Sequence, residues 1–218
     1  MTKTPGTTDP AYVEVFENNR KWVAEMNARD GSFFDNLSKG QSPAFLYVGC
    51  ADSRVPASTV MGVDPGNVFV HRNIANMVIH TDMNAQSVIE YAVTHLGVRH
   101  IVVCGHYGCG GVNAAMQLSD LGVLNPWLRE VRDVYHSHVD ELADMDEAAR
   151  FKRLVELNVA AQCVNMIKNE AVQRRWAGGD ELYVHGWVYD LKSGHLLDLN
   201  LDFSDEMAAA RSLYRLNS

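Results

Sequence analysis

Short, nearly unbroken apolar runs alternate along the 218-residue chain with stretches of helical periodicity. Ala44 to Cys50, Asn67 to Arg72 and His100 to His106 are too short for helices and too continuously apolar for half-exposed strands, so they read as strands buried on both faces. Asp64–Pro65–Gly66 punctuates the second run as a turn. Between the second and third, Ile89, Ala92, Val93 and Leu96 recur at i, i+3, i+4 and i+7, with Thr81 or Asp82 as cap and Gly97 as stop. Strand, helix, strand in that order predicts a parallel crossover unit. Tyr12 to Ala28 predicts an N-terminal helix with Phe16, Trp22, Val23 and Met26 on one face, suited to a docking arm. A helix is expected from Asn125–Pro126 towards His138, with the Asn as cap and the Pro in the first turn. A long one is expected from about Asp146 to Trp176, closed by Gly178–Gly179. Glu181–Asp190 and His195–Phe203 flank Lys192–Ser193–Gly194 as a hairpin, and a last helix starts at Ser204 or Asp205. The fold class predicted is α/β: a mixed, mainly parallel sheet with an antiparallel edge, flanking helices and an N-terminal helical arm.

The length suits one domain, 1–218, whose first 40 residues form a polar, Thr-rich leader (Met1 to Pro10) followed by the arm. A net charge of −8 without a dense Lys/Arg cluster argues against nucleic acid and anionic lipid as partners. No apolar run approaches the roughly 20 residues of a bilayer span, so no membrane partner is expected. Four cysteines are too few for a disulfide scaffold and suit a reducing compartment, with the cytoplasm as the expected location.

The chemistry concentrates at two strand ends. Cys50 closes the first run and begins Cys50–Ala51–Asp52–Ser53–Arg54; more than fifty positions later His106 closes the third and begins His106–Tyr107–Gly108–Cys109–Gly110–Gly111. Open parallel sheets carry their sites beyond the carboxyl ends of their strands, so both pieces reach one rim. Two thiolates and an imidazole fit zinc, and three protein ligands with a free fourth position mark a catalytic rather than a structural site. Gly108, Gly110 and Gly111 permit the sharp bend that returns Cys109 to the same ion, and a helix starting near Asn113 would favour thiolate there. Cys104 and Cys163, in a strand and on a helix, are expected as core hydrophobes, as are Met61 and Met77. His136 and His138 are expected at the surface and facing apart, and Asp140 to Glu147 as a solvated face.

The segments Gly49–Cys50–Ala51–Asp52–Ser53–Arg54–Val55–Pro56, Val70–His71–Arg72–Asn73–Ile74–Ala75–Asn76 and Cys104–Gly105–His106–Tyr107–Gly108–Cys109–Gly110–Gly111 resemble, in order and spacing, the motifs of the β-class carbonic anhydrases. The resemblance is strong over Ala44 to Ala115 and extends to Glu181–Asp190. It implies an enzyme that interconverts carbon dioxide and bicarbonate through hydroxide generated at one Zn2+ per subunit, held by Cys50, His106 and Cys109. Asp52 and Arg54 would form a catalytic gating pair, with Asp52 a zinc ligand only in a closed state. It also implies a homodimer or homotetramer joined by exchanged N-terminal helices. Tyr47, Arg72 and Tyr189 are similar to the inhibitory bicarbonate pocket of a bacterial subgroup, although Tyr47 stands where that subgroup commonly has Trp. Hydrolysis of carbonyl sulfide or carbon disulfide on the same scaffold, and a non-catalytic zinc-stabilised module, are the alternatives.

Overall fold

The computed structural model describes residues 9–213. All but the last two residues of the expected leader lie outside them. Two compact units divide between Gln41 and Ser42. In the first, α1 (Pro10–Arg29) is capped by Asp9, whose side chain accepts from the Ala11 N–H, and α2 (Phe33–Ser38) follows. Trp22 meets Phe33 and Phe34 edge-on, with the centroids of the Trp22–Phe34 pair 5.4 Å apart. Only Met26 of α1 is buried, and Tyr12, Val13, Val15 and Phe16 are exposed.

In the second unit the elements run β1 (Phe45–Cys50), α3 (Ala57–Met61), β2 (Val68–Asn73), a 3-10 turn at Ile74–Asn76, α4 (Met83–Glu90), β3 (His100–His106) and α5 (Gly110–Ala115). Then come α6 (Leu124–Ser137), α7 (Val139–Ala143), α8 (Glu147–Ile167), α9 (Glu170–Ala177), β4 (Tyr183–Asp190), β5 (His195–Asp198) and α10 (Ser204–Leu213). The sheet order is β2-β1-β3-β4-β5, parallel except for β5, as the mixed sheet predicted. Leu46, Val48, Ile101 and Val103 point into the main core with Leu154, Val155, Val159 and Met166 of α8; Tyr47, Val102 and Cys104 point to the other side. Among the described residues no helix is long and apolar enough to cross a membrane.

Four expectations are corrected. The long helix predicted over Asp146 to Trp176 breaks at Asn169, whose side chain accepts from the N–H groups of Ala171 and Val172 and so caps a second helix. The helix before Gly97 widens into a π turn at Tyr91–His95, closed by Leu96 N–H to Tyr91 O, before Gly97 turns left-handed (φ 65°). Asn125 is not the cap of α6, which starts one residue earlier; its side chain accepts from the Leu121 N–H and donates to Asp120. The second hairpin strand ends at Asp198 rather than Phe203, because Asp198 accepts the Asn200 N–H, Asn200 turns to φ 49°, and Leu201 and Phe203 drop onto the core.

Candidate metal centre

Parallel pairing of β1 with β3 brings Cys50 and His106 to one rim, beyond the carboxyl ends of the strands as expected. Gly108, at φ 74°, supplies the left-handed residue by which the chain turns back to Cys109. Gly111 has a different reason: a Cβ there would come 2.6 Å from Ile74 Cγ2, so the turn after β2 requires close approach. The helix expected near Asn113 begins at Gly110, with Cys109 as its cap residue.

The donor atoms of Cys50, His106 and Cys109 all lie within 4.8 Å of one another, and all three residues are buried. The two sulfurs are 3.9 Å apart. A disulfide needs about 2.0 Å, whereas two thiolates on one tetrahedral zinc stand about 3.8 Å apart. His106 Nδ1 lies 3.2 Å from the Tyr107 carbonyl oxygen, the partner that fixes Nδ1 as donor and frees Nε2. Nε2 is buried and makes no hydrogen bond. These residues therefore fit a zinc ion.

The local electrostatics favour a thiolate at Cys50 and oppose a second one at Cys109. Cys50 is pushed down to about 4 by the thiol hydrogen bond from Cys109, then by His106 and by the N–H groups of Asp52 and Ala75, against the opposing effect of burial. Cys109 is pushed up, because the neighbouring Cys50 sulfur and burial oppose a second negative charge; the Gly111 and Val112 N–H groups pull the other way.

Asp52 lies beside the trio. Its Oδ2 is 3.7 Å from His106 Nε2, yet both its oxygens are taken by Arg54, through Nε (2.9 Å) and Nη2 (2.7 Å). The backbone N–H of Arg54 bonds the same carboxylate at 3.0 Å. The guanidinium holds Asp52 well below the usual carboxylate range. Arg72 donates through Nε to the Cys50 carbonyl (2.8 Å) and through Nη2 to the Asp52 carbonyl, tying the loop to β2.

Tyr47 is almost wholly buried, its hydroxyl against the Cys104 thiol, and burial raises its pKa. Tyr189 packs in the same cluster, while the bonded donors of Arg72 point to the Cys50–Asp52 loop. Cys104 and Cys163 are core residues as expected; burial pushes the Cys104 thiol up to about 12. Met77 is fully buried, and Met61 packs partly buried beside Tyr47's cluster. His136 is exposed, and His138 Nδ1 lies 2.9 Å from the Val134 carbonyl oxygen, so the two form no metal pair.

Sequence reasoning missed the residues behind the site. Tyr107 donates to Glu156 (2.7 Å), which pairs with Arg153, and Lys152 sits 4.6 Å over the Tyr107 ring. Ala75 (φ 63°) and Asn76 (φ 50°) are consecutive left-handed non-glycine residues, each costing about 1–3 kcal/mol that the surroundings must offset. Nothing in a single polar side chain's position signals such support, but amides recurring at helical spacing in an apolar helix do.

Residues 45–196 match the family model described as carbonic anhydrase. A carbonic anhydrase of Emericella nidulans is 55% identical over 209 residues, covering 95% of this chain and 92% of that one. The solved β-carbonic anhydrase CafA of Aspergillus fumigatus superposes with a TM-score of 0.90 at 36% identity, over 95% of this chain and all (100%) of that one. A tetrameric β-carbonic anhydrase of Sordaria macrospora gives 0.84 at 40% identity, over 88% and 98%. With the parallel sheet, the rim and its Cys–His–Cys cluster already in place, these matches make the chain a member of the β-class carbonic anhydrase family.

Proposed function

We propose that the chain reversibly hydrates carbon dioxide to bicarbonate and a proton, with one zinc per subunit held by Cys50, His106 and Cys109. The observation that carries this is the convergence of two sulfurs and the hydrogen-bond-free His106 Nε2 at one buried point. Held by these residues, zinc would lower the pKa of a bound water and so supply the nucleophile that carbon dioxide, a weak electrophile, needs. The chain's own residues prepare the site. Arg54 holds Asp52 in a two-pronged pair, which would keep its carboxylate from the metal and leave it as an acceptor beside the Cys50, His106 and Cys109 donors. Release of Asp52 by Arg54 would let the carboxylate close the site, and this pair is the proposed gate.

Arg72, with Tyr47 and Tyr189, is the proposed regulatory bicarbonate site. Arg72 spends two donors on the carbonyls of Cys50 and Asp52, so an anion that recruited its guanidinium would loosen the loop carrying Asp52. Inhibition by bicarbonate that persists unchanged in Arg72→Ala would remove this part of the reading. A homodimer or homotetramer is proposed, supported by the exposed apolar side of α1 and by the tetrameric Sordaria relative. Four free, buried cysteines suit a reducing compartment, and the cytoplasm is the one proposed.

X-ray absorption at the zinc edge tests the ligand set. Two sulfur neighbours and one imidazole nitrogen are expected, with one sulfur lost in Cys50→Ser together with hydration activity. A zinc environment without sulfur, or an active Cys50→Ser enzyme with an unchanged spectrum, would overturn the assignment.

A further inference from the structure

The left-handed kink at Ala75–Asn76 touches the surroundings of all three proposed ligands. Cys50 is in register with Asn73, the residue that enters the turn, and the Ala51 N–H donates to the Asn73 carbonyl at 2.8 Å. A Cβ at Gly111, two residues after Cys109, would lie 3.3 Å from Ala75 Cβ, and one at Gly105, just before His106, would lie 3.5 Å from Asn76 Oδ1. The kink is in turn gripped from behind by a row of amides on α8 at positions 158, 162 and 165, the i, i+4, i+7 spacing of one helix face. Asn158 Nδ2 donates to the Ala75 carbonyl (3.0 Å). Gln162 Oε1 accepts the Val78 N–H (2.8 Å), and Asn165 Nδ2 donates to the Val78 carbonyl (3.0 Å). The row is bonded along itself, Gln162 to Asn158 and Asn165 to Gln162, both at 3.3 Å. Asn158 and Gln162 are buried among the residues by which α8 packs into the apolar core. From α6, the Trp127 indole N–H holds the Ile74 carbonyl at 2.9 Å.

Buried amides in an apolar core are costly unless fully bonded, and these spend their bonds on one irregular segment. A helix needing only to pack on β3 and β4 would use leucine there. We infer that the Asn158–Gln162–Asn165 ladder, with Trp127, is a positioning device: it holds the Ala75–Asn76 kink in its strained conformation and thereby fixes the thiolates of Cys50 and Cys109 for the metal. The inference rests on the zinc reading above.

The test uses full-length protein loaded with zinc or, as a spectroscopic probe, with cobalt(II). Asn158→Leu removes the grip on Ala75. It is expected to weaken zinc binding about tenfold or more in chelator competition, the usual cost of losing an outer-shell partner, and to shift the thiolate-to-cobalt charge-transfer bands. Trp127→Phe keeps an aromatic side chain but loses the pyrrole ring with its donor; the same changes are expected on the order of threefold, about the worth of one hydrogen bond. Cys163→Ala, on the same helix but away from the kink, should lower the melting temperature while leaving the cobalt bands in place. Folded Asn158→Leu with wild-type affinity and bands would overturn the inference. If that variant does not fold, unchanged affinity and bands in Trp127→Phe would do so. Wild-type protein that binds no zinc would instead sink the ligand assignment itself, a separate failure.

Discussion

On β1, Phe45 and Leu46 are neighbours in sequence that face opposite sides of the sheet, and their surroundings differ in kind. Leu46 is fully buried in the main core, on the side where α8 and the kink after β2 complete the packing. Phe45 belongs to an aromatic row that stacks on His100 at 4.9 Å and continues from His100 to Tyr183 and His185. That side is only partly covered: Tyr47, Val102 and Cys104 are buried, but Val70 and Tyr183 are 38% and 45% exposed. One face is thus a closed interior in which even amides are spent on fixing a site. The other keeps aromatic surface exposed, which suits the proposed homo-oligomer.

The comparison is most strongly tested at the closed face's rim. His106→Ala should abolish zinc retention and reduce hydration on the order of 10³-fold or more, because the nucleophile is lost with the metal; metal analysis and stopped-flow rates on the same sample check it. Next come the two neighbours. Leu46→Ala should cost the chain about 2–5 kcal/mol in denaturant unfolding. Phe45→Ala should cost the chain less and should weaken self-association in sedimentation, and equal stability losses with unchanged association would erase the distinction between the faces. Arg54→Ala, which frees Asp52, should lower turnover by roughly 10–100-fold at neutral pH with zinc retained.

The smallest effect is a pH dependence on the open face. His100 Nδ1 and His185 Nε2 are 3.1 Å apart, and His185 is held below its ordinary value by burial and then by His100, with Asp198 opposing. The neutral ring is therefore the one the fold prefers. Its stability contribution is complete above the unfolded value of about 6.5 and is lost as pH falls through the lower folded value. Urea unfolding should show a decline as pH falls below about 6.5, flattened in His185→Gln.

The parallel strands and the rim were legible because continuous apolar runs bounded by turn residues leave few alternatives, and because Cys50 and His106 end two of them. The closed and open faces were not legible, since a run apolar on both sides carries no alternation to tell them apart. The break at Asn169 escaped because neither Gly nor Pro marks it; an amide side chain caps the second helix instead. Asn158 and Gln162 escaped for a related reason: each taken singly reads as a solvent-side residue, and only their helical spacing sets them apart as the pair that meets Ala75 and Val78. Asp52 and Arg54 were legible as a pair from their spacing in a known motif, but the two-pronged geometry is a property of the folded loop.

The most direct measurement is stopped-flow hydration of carbon dioxide from neutral to alkaline pH, on protein carrying one zinc per chain. Rapid, zinc-dependent turnover that rises with pH is predicted, because two thiolates cancel much of the metal's charge and leave its water less acidic than an all-histidine site would. Fully zinc-loaded protein without turnover at any pH would contradict the account.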